Sequence, residues 1–395
     1  MILQQTRGLL SSGDQLALDL PFAETKSLAA RIGPTPTFTR ASTATFVGSD
    51  GLIQTAAVNA ARFDHNPITL ASRGLLIEEG RTNLFTQSET WQTGANFTGP
   101  TAPTVTNDTT TSPDGLLTAD TLSGSTGTAI DGSANSTWRQ PTISSATAYT
   151  FSIYVRSLGV ATKAEIRIRD NSTGASVQTL DTSLTSSWKR LSVTATTGAT
   201  TTSIRCIIQN TDGPIAIWGA QVEAGAFATS YIPTTTSTLA RSADVCSITG
   251  SDFTGFYNQT EGTIHSKSSQ PVVTTANAMV YAIDSGSDNN RHNFSHSRSF
   301  FVTQRSGITS ALVDANNPTS NSVSSFAAAY KISNYKVGFN SVLLSSTSGE
   351  GPVPTVNRMF LGSKGIGTEY LNGHIASIRY YKIRLPDAKL QAITA

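Results

Sequence analysis

The stretch Tyr149-Thr150-Phe151-Ser152-Ile153-Tyr154-Val155 decides the fold class. Tyr149, Phe151, Ile153 and Val155 occupy every second position, with polar Thr150 and Ser152 between them. Successive side chains of a strand point to opposite faces, so this period of two predicts a strand with one apolar and one wet face. The same alternation recurs downstream. Ile166 and Ile168 alternate with Glu165, Arg167 and Arg169, and Leu191, Val193 and Ala195 alternate with Ser192, Thr194 and Thr196. Turn clusters such as Asp170-Asn171-Ser172-Thr173-Gly174 and Asn210-Thr211-Asp212-Gly213-Pro214 separate these runs at the spacing of a β-sandwich. The apolar run Ile215 to Val222 reads as a central strand with Trp218 in the core. Cys206, between Arg205 and Ile207, reads as a small core residue.

Composition agrees with an all-β chain. Ser and Thr total 107 of 395 residues, and only 14% of the chain is charged. Thr serves a pleated, half-buried surface better than a helix interior, so long helices and coiled coils are excluded. Four Trp, ten Tyr and sixteen Phe supply the large side chains that disordered chains lack. A net charge of +2 with no basic run gives no basis for nucleic-acid binding. The N-terminal residues Met1 to Arg7 lack the pattern of a signal peptide, and no apolar run reaches the length of a membrane span. Two cysteines are too few for a disulfide framework, and together these features predict a soluble chain made in a reducing cytosol.

Three parts differ in texture. Residues 1–88 are dense in turn signals, including Gly33-Pro34-Thr35-Pro36 and Ser49-Asp50-Gly51, with little periodicity. They read as extended segments lying on a partner surface without a full core. Residues 89–243 hold all four tryptophans and the clearest strands, and close on the Thr-rich connection Ile232 to Thr238. Residues 244–395 carry a second β series with strands around Thr263 to His265, Met279 to Ile283, Tyr335 to Phe339 and Ile375 to Tyr381. Pro386 to Ile393 is the one good short-helix signal, with Leu390 and Ile393 on one face.

Three resemblances refine this reading. Thr37 to Phe46, then Ala61-Arg62-Phe63-Asp64-His65 and Gly74 to Leu84, resemble the N-terminal module of virion appendage proteins of tailed bacteriophages, the head-fibre and tail-fibre proteins. The run from Phe360-Leu361-Gly362 through Leu371-Asn372-Gly373-His374 to Lys389-Leu390 is similar to the end of concanavalin A-like, laminin-G-type jelly rolls. Tyr149 to Val155, Trp188 to Val193 and Ile217 to Glu223 resemble carbohydrate-binding-module jelly rolls. The first resemblance implies a virion-anchoring role for Phe38, Arg40, Phe46, Arg62, Phe63, Asp64, Glu78 and Arg81, and a homotrimer.

Chemistry is sparse by contrast. No nucleophile elbow, P-loop, dinucleotide fingerprint or zinc-ligand spacing is present. His292 and His296 stand four apart in a segment that reads as a solvated loop, and His374 reads as a strand start. Glu78 and Glu79 are the only adjacent acids. Strand neighbours face opposite ways, so they cannot straddle a glycosidic bond, and salt bridges to Arg73 or Arg81 are expected instead. Asp284 to Asn290 alternates acids and amides as calcium loops do, making Asp284 and Asp288 the candidate metal ligands. Laminin-G-type folds often carry calcium on a rim loop, which favours that ion. A plain turn is the competing reading. Trp138 and Trp188, beside polar and basic neighbours, are the candidates for stacking on a sugar, against burial as ordinary core residues.

The expectation is therefore an all-β virion protein: an extended N-terminal anchor followed by two β-sandwich jelly rolls. It would be a fibre or spike displayed on the particle surface after synthesis in the host cytoplasm, binding other virion proteins and host-surface polysaccharide without catalysis. Capsid decoration or tail scaffolding without glycan binding is the alternative, and a capsule depolymerase has no sequence support.

Overall fold

The computed structural model describes residues 15–98, 102–124, 136–210, 212–271, 278–297, 300–314, 319–345, 351–365 and 369–395. The chain is all-β. Among the described residues only three short helices occur, Phe22–Thr25, Gly250–Phe256 and Asp387–Ile393. The last is the helix that Pro386, Leu390 and Ile393 predict, with Leu390 buried. None is long and apolar enough to cross a membrane.

The chain divides into two compact units, one from the described parts of 1–51, 56–79 and 242–395, the other from 52–55 and 80–241. This differs from the three-part reading, because the N-terminal segment has no unit of its own. Leu16–Leu20 pairs antiparallel with Gly373–Tyr381, which on another side pairs with Ser72–Ile77. Thr37–Thr39 pairs with Val245–Thr249. The surface on which these extended segments lie belongs to the same chain, and pairings across more than 300 residues leave no local trace in sequence.

In the first unit, one sheet runs Val342–Ser345, Lys336–Phe339, Ser324–Lys331, Glu261–Ser269, Gly373–Tyr381, Ser72–Ile77, Phe63–His65. The other runs Thr37–Thr39, Val245–Thr249, Arg358–Leu361, Met279–Asp284, Arg291–Ser295, Phe300–Arg305, Ile308–Asp314. Their inner faces share one core that includes Leu75, Ile264, Tyr330, Ile378, Ile248, Met359, Phe294 and Phe301. Phe294 and Phe326 stack across it with ring centres 3.6 Å apart. Gly74 is required where it stands. Its φ is +96°, and a Cβ there would lie 2.2 Å from the Ile375 carbonyl oxygen.

The second unit is also a sandwich. Lys189–Thr196, Ala148–Ser157, Ile215–Ala224, Ala119–Ser123 and Thr104–Thr110 form one five-stranded sheet. Ser176–Asp181, Ala164–Asp170, Ile204–Asn210, Ser136–Arg139 and Asn96–Thr98 form the other. Tyr149, Phe151, Ile153 and Val155 enter the core with Ile166, Ile168, Leu191, Val193, Cys206 and Ile208, as their period of two predicts. The wet face is less wet than expected. Thr150 and Ser152 are buried, and Tyr154, Trp188, Trp218 and Tyr231 gather on that side as a second small cluster. Asn83 ties the 80–88 stretch into this unit, donating to the Ala220 and Ile232 carbonyls and accepting from the Val222 and Phe85 amides.

Candidate functional site

The richest array of chemistry lies on the outer face of the second unit's sheet that contains Ser136–Arg139. Ile204, Cys206 and Ile208 point into the core, as do Ile166 and Ile168. Alternation therefore puts Arg205, Ile207 and Gln209 outward, with Glu165, Arg167 and Arg169 beside them. Thr137 faces inward, where its hydroxyl accepts from Trp91 Nε1, so Trp138 also faces outward. Strand register lines these residues up. One row reads Asn96, Trp138, Ile207, Arg167, Gln178, a second Gln209, Glu165, Leu180, and a third Arg205, Arg169, Ser176.

Trp138 is half-buried, and the Arg205 guanidinium lies over its ring at 4.1 Å from the centre. One face of the indole is thus occupied by a guanidinium, and the stacked pair acts as one platform of apolar ring and N–H donors. Arg167 is ion-paired to Glu165. Trp138 Nε1, Arg169 Nε, Arg205 Nε and Gln209 Oε1 are buried with no hydrogen-bond partner among the described residues. Such groups carry a desolvation cost that a polar ligand or ordered water can relieve. Arg167, Ile207 and Gln209 are buried, so the surface this face offers is the half-buried Trp138 ring with Arg169 and Arg205, an aromatic and donor combination that suits a hydroxyl-rich ligand. The sequence pointed to Trp138 alone. Arg169, Arg205 and Gln209 were visible only as the polar half of the strand alternation.

Trp188, the other stacking candidate, belongs to the aromatic cluster on the opposite sheet. Its Nε1 donates to the Thr111 carbonyl at 3.2 Å, and Arg156 lies 5.1 Å over its ring. Trp91 and Trp218 are each 2% exposed.

The residues expected to anchor the chain on another protein are mostly turned inward. Asp244, which the sequence reading passed over, accepts from Arg40 at 3.1 Å and from Arg62 at 2.5 Å. Arg62 also donates to Glu78 at 2.8 Å. These four side chains are almost fully buried, and Arg40 further donates to the Ser42 and Ala57 carbonyls. Asp64 accepts from the Val47 amide and meets His374 Nε2 at 2.8 Å. Phe38 is in the core, and Phe63 packs against it from a half-buried position. Arg40, Arg62, Asp64 and Glu78 thus serve the interior of the first unit and offer no docking surface, because burying a charge requires its partners beside it. Glu78 pairs with Arg62, and Arg73 stands 4.0 Å from Asp64. Phe46 and Arg81 are half-buried, Arg81 lying over the Phe227 ring at 5.0 Å.

The calcium candidates do not fit an ion as they stand. Asp284 accepts from Arg358 Nε at 2.6 Å and from the Gly286 amide, while Asp288 is paired with Arg291 and Lys364. Among the described residues no group of three or more His, Cys, Asp or Glu is placed to hold a metal. His292 and His296 are also corrected: both are fully buried, His292 within Arg291–Ser295, and burial pushes them down to about 3 and about 4.

No protein-family model and no curated protein matches the chain. Among solved structures it is similar to the CBM40 of the Ruminococcus gnavus IT-sialidase bound to α2,3-sialyllactose, at 16% identity and a TM-score of 0.29, over 35% of this chain and 84% of that one. A NanB sialidase variant from Streptococcus pneumoniae gives 14% identity and a TM-score of 0.32, over 38% of this chain and 26% of that one. Trypanosoma rangeli sialidase in complex with sialic acid gives 11% and 0.29, over 37% and 25%. The chain spans about a quarter of the two sialidases' length. Overlaps this partial carry no function across.

Proposed function

We propose that this chain is a structural protein of a bacteriophage virion surface, assembled as a homotrimer, that attaches to host-surface glycan without catalysis. The observation that supports glycan attachment is the in-register outer face around Trp138, where a half-buried aromatic ring lies against the Arg205 guanidinium and Arg169 stands partly exposed on the next strand. The N-terminal sequence resemblance supports the virion setting. Individually weak contacts suffice in such a setting, because many copies on one particle raise the avidity without any single tight site.

The test is binding of the purified full chain to a panel of bacterial surface polysaccharides, with new reducing ends measured in parallel. Retention on at least one polysaccharide, lost on Trp138→Ala with the melting temperature unchanged within about 2 °C, is expected. Undiminished binding by Trp138→Ala would remove the face from consideration. Sustained, protein-dependent release of reducing ends would overturn the non-catalytic reading.

A further inference from the structure

We infer that Arg169 and Arg205 form an oxyanion subsite, so that the glycan taken by this face is an acidic one. This rests on the glycan-attachment reading above and narrows it to a ligand class. The two arginines stand directly opposite each other on adjacent antiparallel strands, Ala164–Asp170 and Ile204–Asn210. Both point to the outer face and both are partly exposed. Like charges directly opposite on one face of a sheet repel, so such a pair is a cost to the fold unless something else occupies the space between.

No carboxylate of the protein fills that role among the described residues. The nearby Glu165 is committed to Arg167, and Asp170, next in sequence to Arg169, accepts from the Thr201 hydroxyl and from the Ser172 and Thr173 amides. The Nε atoms of Arg169 and Arg205 are both buried without a partner. The Arg205 guanidinium lies 4.1 Å over the centre of the Trp138 ring, a contact that limits its freedom. Two guanidinium groups from directly opposite strand positions supply donors for a carboxylate or phosphate, and each fork can give two parallel hydrogen bonds. Asn171 and Gln140, joined at 3.4 Å just beyond the ends of Ala164–Asp170 and Ser136–Arg139, add neutral groups for sugar hydroxyls. The ligand class is a saccharide bearing a carboxylate or a phosphodiester.

The experiment measures binding of the full chain to polygalacturonate, alginate and polysialate, each against its carboxyl-reduced form, and to a glycerol-phosphate polymer. It is run at roughly 50 mM and 500 mM NaCl. Binding to an acidic polymer about tenfold tighter than to its reduced form, weakened at high salt, is expected. A preference confined to the phosphate polymer supports the subsite and assigns the anion to phosphate. The Arg169→Gln, Arg205→Gln double variant should lose that preference while its melting temperature equals or exceeds the parent's, because the repulsion is relieved. Arg205→Lys, which keeps the charge but not the fork, should fall between.

Equal binding to acidic and reduced polymers, lost in Trp138→Ala, would overturn the oxyanion subsite and leave glycan attachment standing. An acidic preference untouched by the double variant would also overturn it. Absence of binding to every polymer, charged or neutral, would overturn both. A melting temperature lowered in the double variant would mark the arginines as structural and count against the subsite.

Discussion

Acidification should unfold the first unit selectively. Three of its histidines, His265, His292 and His296, are at most 1% exposed. Each has one hydroxyl neighbour: Ser325 Oγ at 3.1 Å from His265 Nε2, Thr303 Oγ1 at 2.8 Å from His292 Nδ1, and Ser268 Oγ at 2.9 Å from His296 Nδ1. The other ring nitrogen of each is buried without a partner. A protonated ring there would be a buried cation with one of its N–H groups unmet, so burial pushes His265 and His292 down to about 3 and His296 to about 4. Arg379 and Lys267 add repulsion at His265. Since the folded-state values are lowered from about 6.5, the stability these rings allow is present above about pH 6.5 and is lost as pH falls toward 3–4. At about pH 5 the unfolded chain holds nearly one more proton per ring, a loss of about 2 kcal/mol each and about 6 kcal/mol for the three if they act independently. Denaturant unfolding at about pH 7.5 and pH 5 measures this, with far-UV circular dichroism following both units and tryptophan fluorescence following the second alone. All four tryptophans lie in 80–241, so fluorescence serves as the internal control. A first-unit loss below about 2 kcal/mol, or histidine proton resonances of the folded chain titrating near 6.5, would refute the reasoning.

The second unit should respond in the opposite sense. Burial pushes Asp120 up to about 6, although the Trp91 and Asp108 amides donate to its carboxylate. Its contribution is then fully present below about pH 4 and fades as pH rises through 6, worth about 1 kcal/mol between pH 5 and pH 7.5 and readable in the fluorescence-detected midpoint. Asp244→Ala should destabilise the first unit by about 3–5 kcal/mol in chemical denaturation, because it leaves Arg40 and Arg62 short of a buried counter-charge. Gly74→Ala should cost at least about 2 kcal/mol in the same assay, combining a positive φ with a collision against the Ile375 carbonyl. Trp218→Ala should cost about 3–5 kcal/mol by fluorescence-independent calorimetry, since its ring is 2% exposed against Tyr154 and Tyr231.

Alternation makes the second unit's core legible in the sequence: Tyr149, Phe151, Ile153, Val155, Ile166, Ile168, Leu191 and Val193 all lie in it. Local pattern also placed the Asp387–Ile393 helix and the buried Cys206. His292 and His296 look like loop residues because Arg291 to Ser297 is polar in composition, and only the neighbouring strands make the segment interior. Arg40, Arg62 and Glu78 read from sequence as part of an anchoring surface, whereas the fold buries them. Their common partner, Asp244, lies 166 residues beyond Glu78, so nothing nearby signals that the charges are neutralised. The candidate site was half visible in the same way. Trp138 stands out by residue type, whereas Arg169 and Arg205 become neighbours only when two strands 34 residues apart in sequence pair in register.

The sequence by itself determined the all-β class, the strand faces of the second sandwich and the C-terminal helix. Those depend on periods of 2 and 3.6 within a few residues. Tertiary structure alone decided that the N-terminal segment completes the first sandwich, that its charges are internal, and that Arg169 and Arg205 stand opposite each other with Arg205 over Trp138. Each of these depends on pairing between distant segments, and such pairing is fixed by the burial of whole faces together, which no short stretch of sequence records.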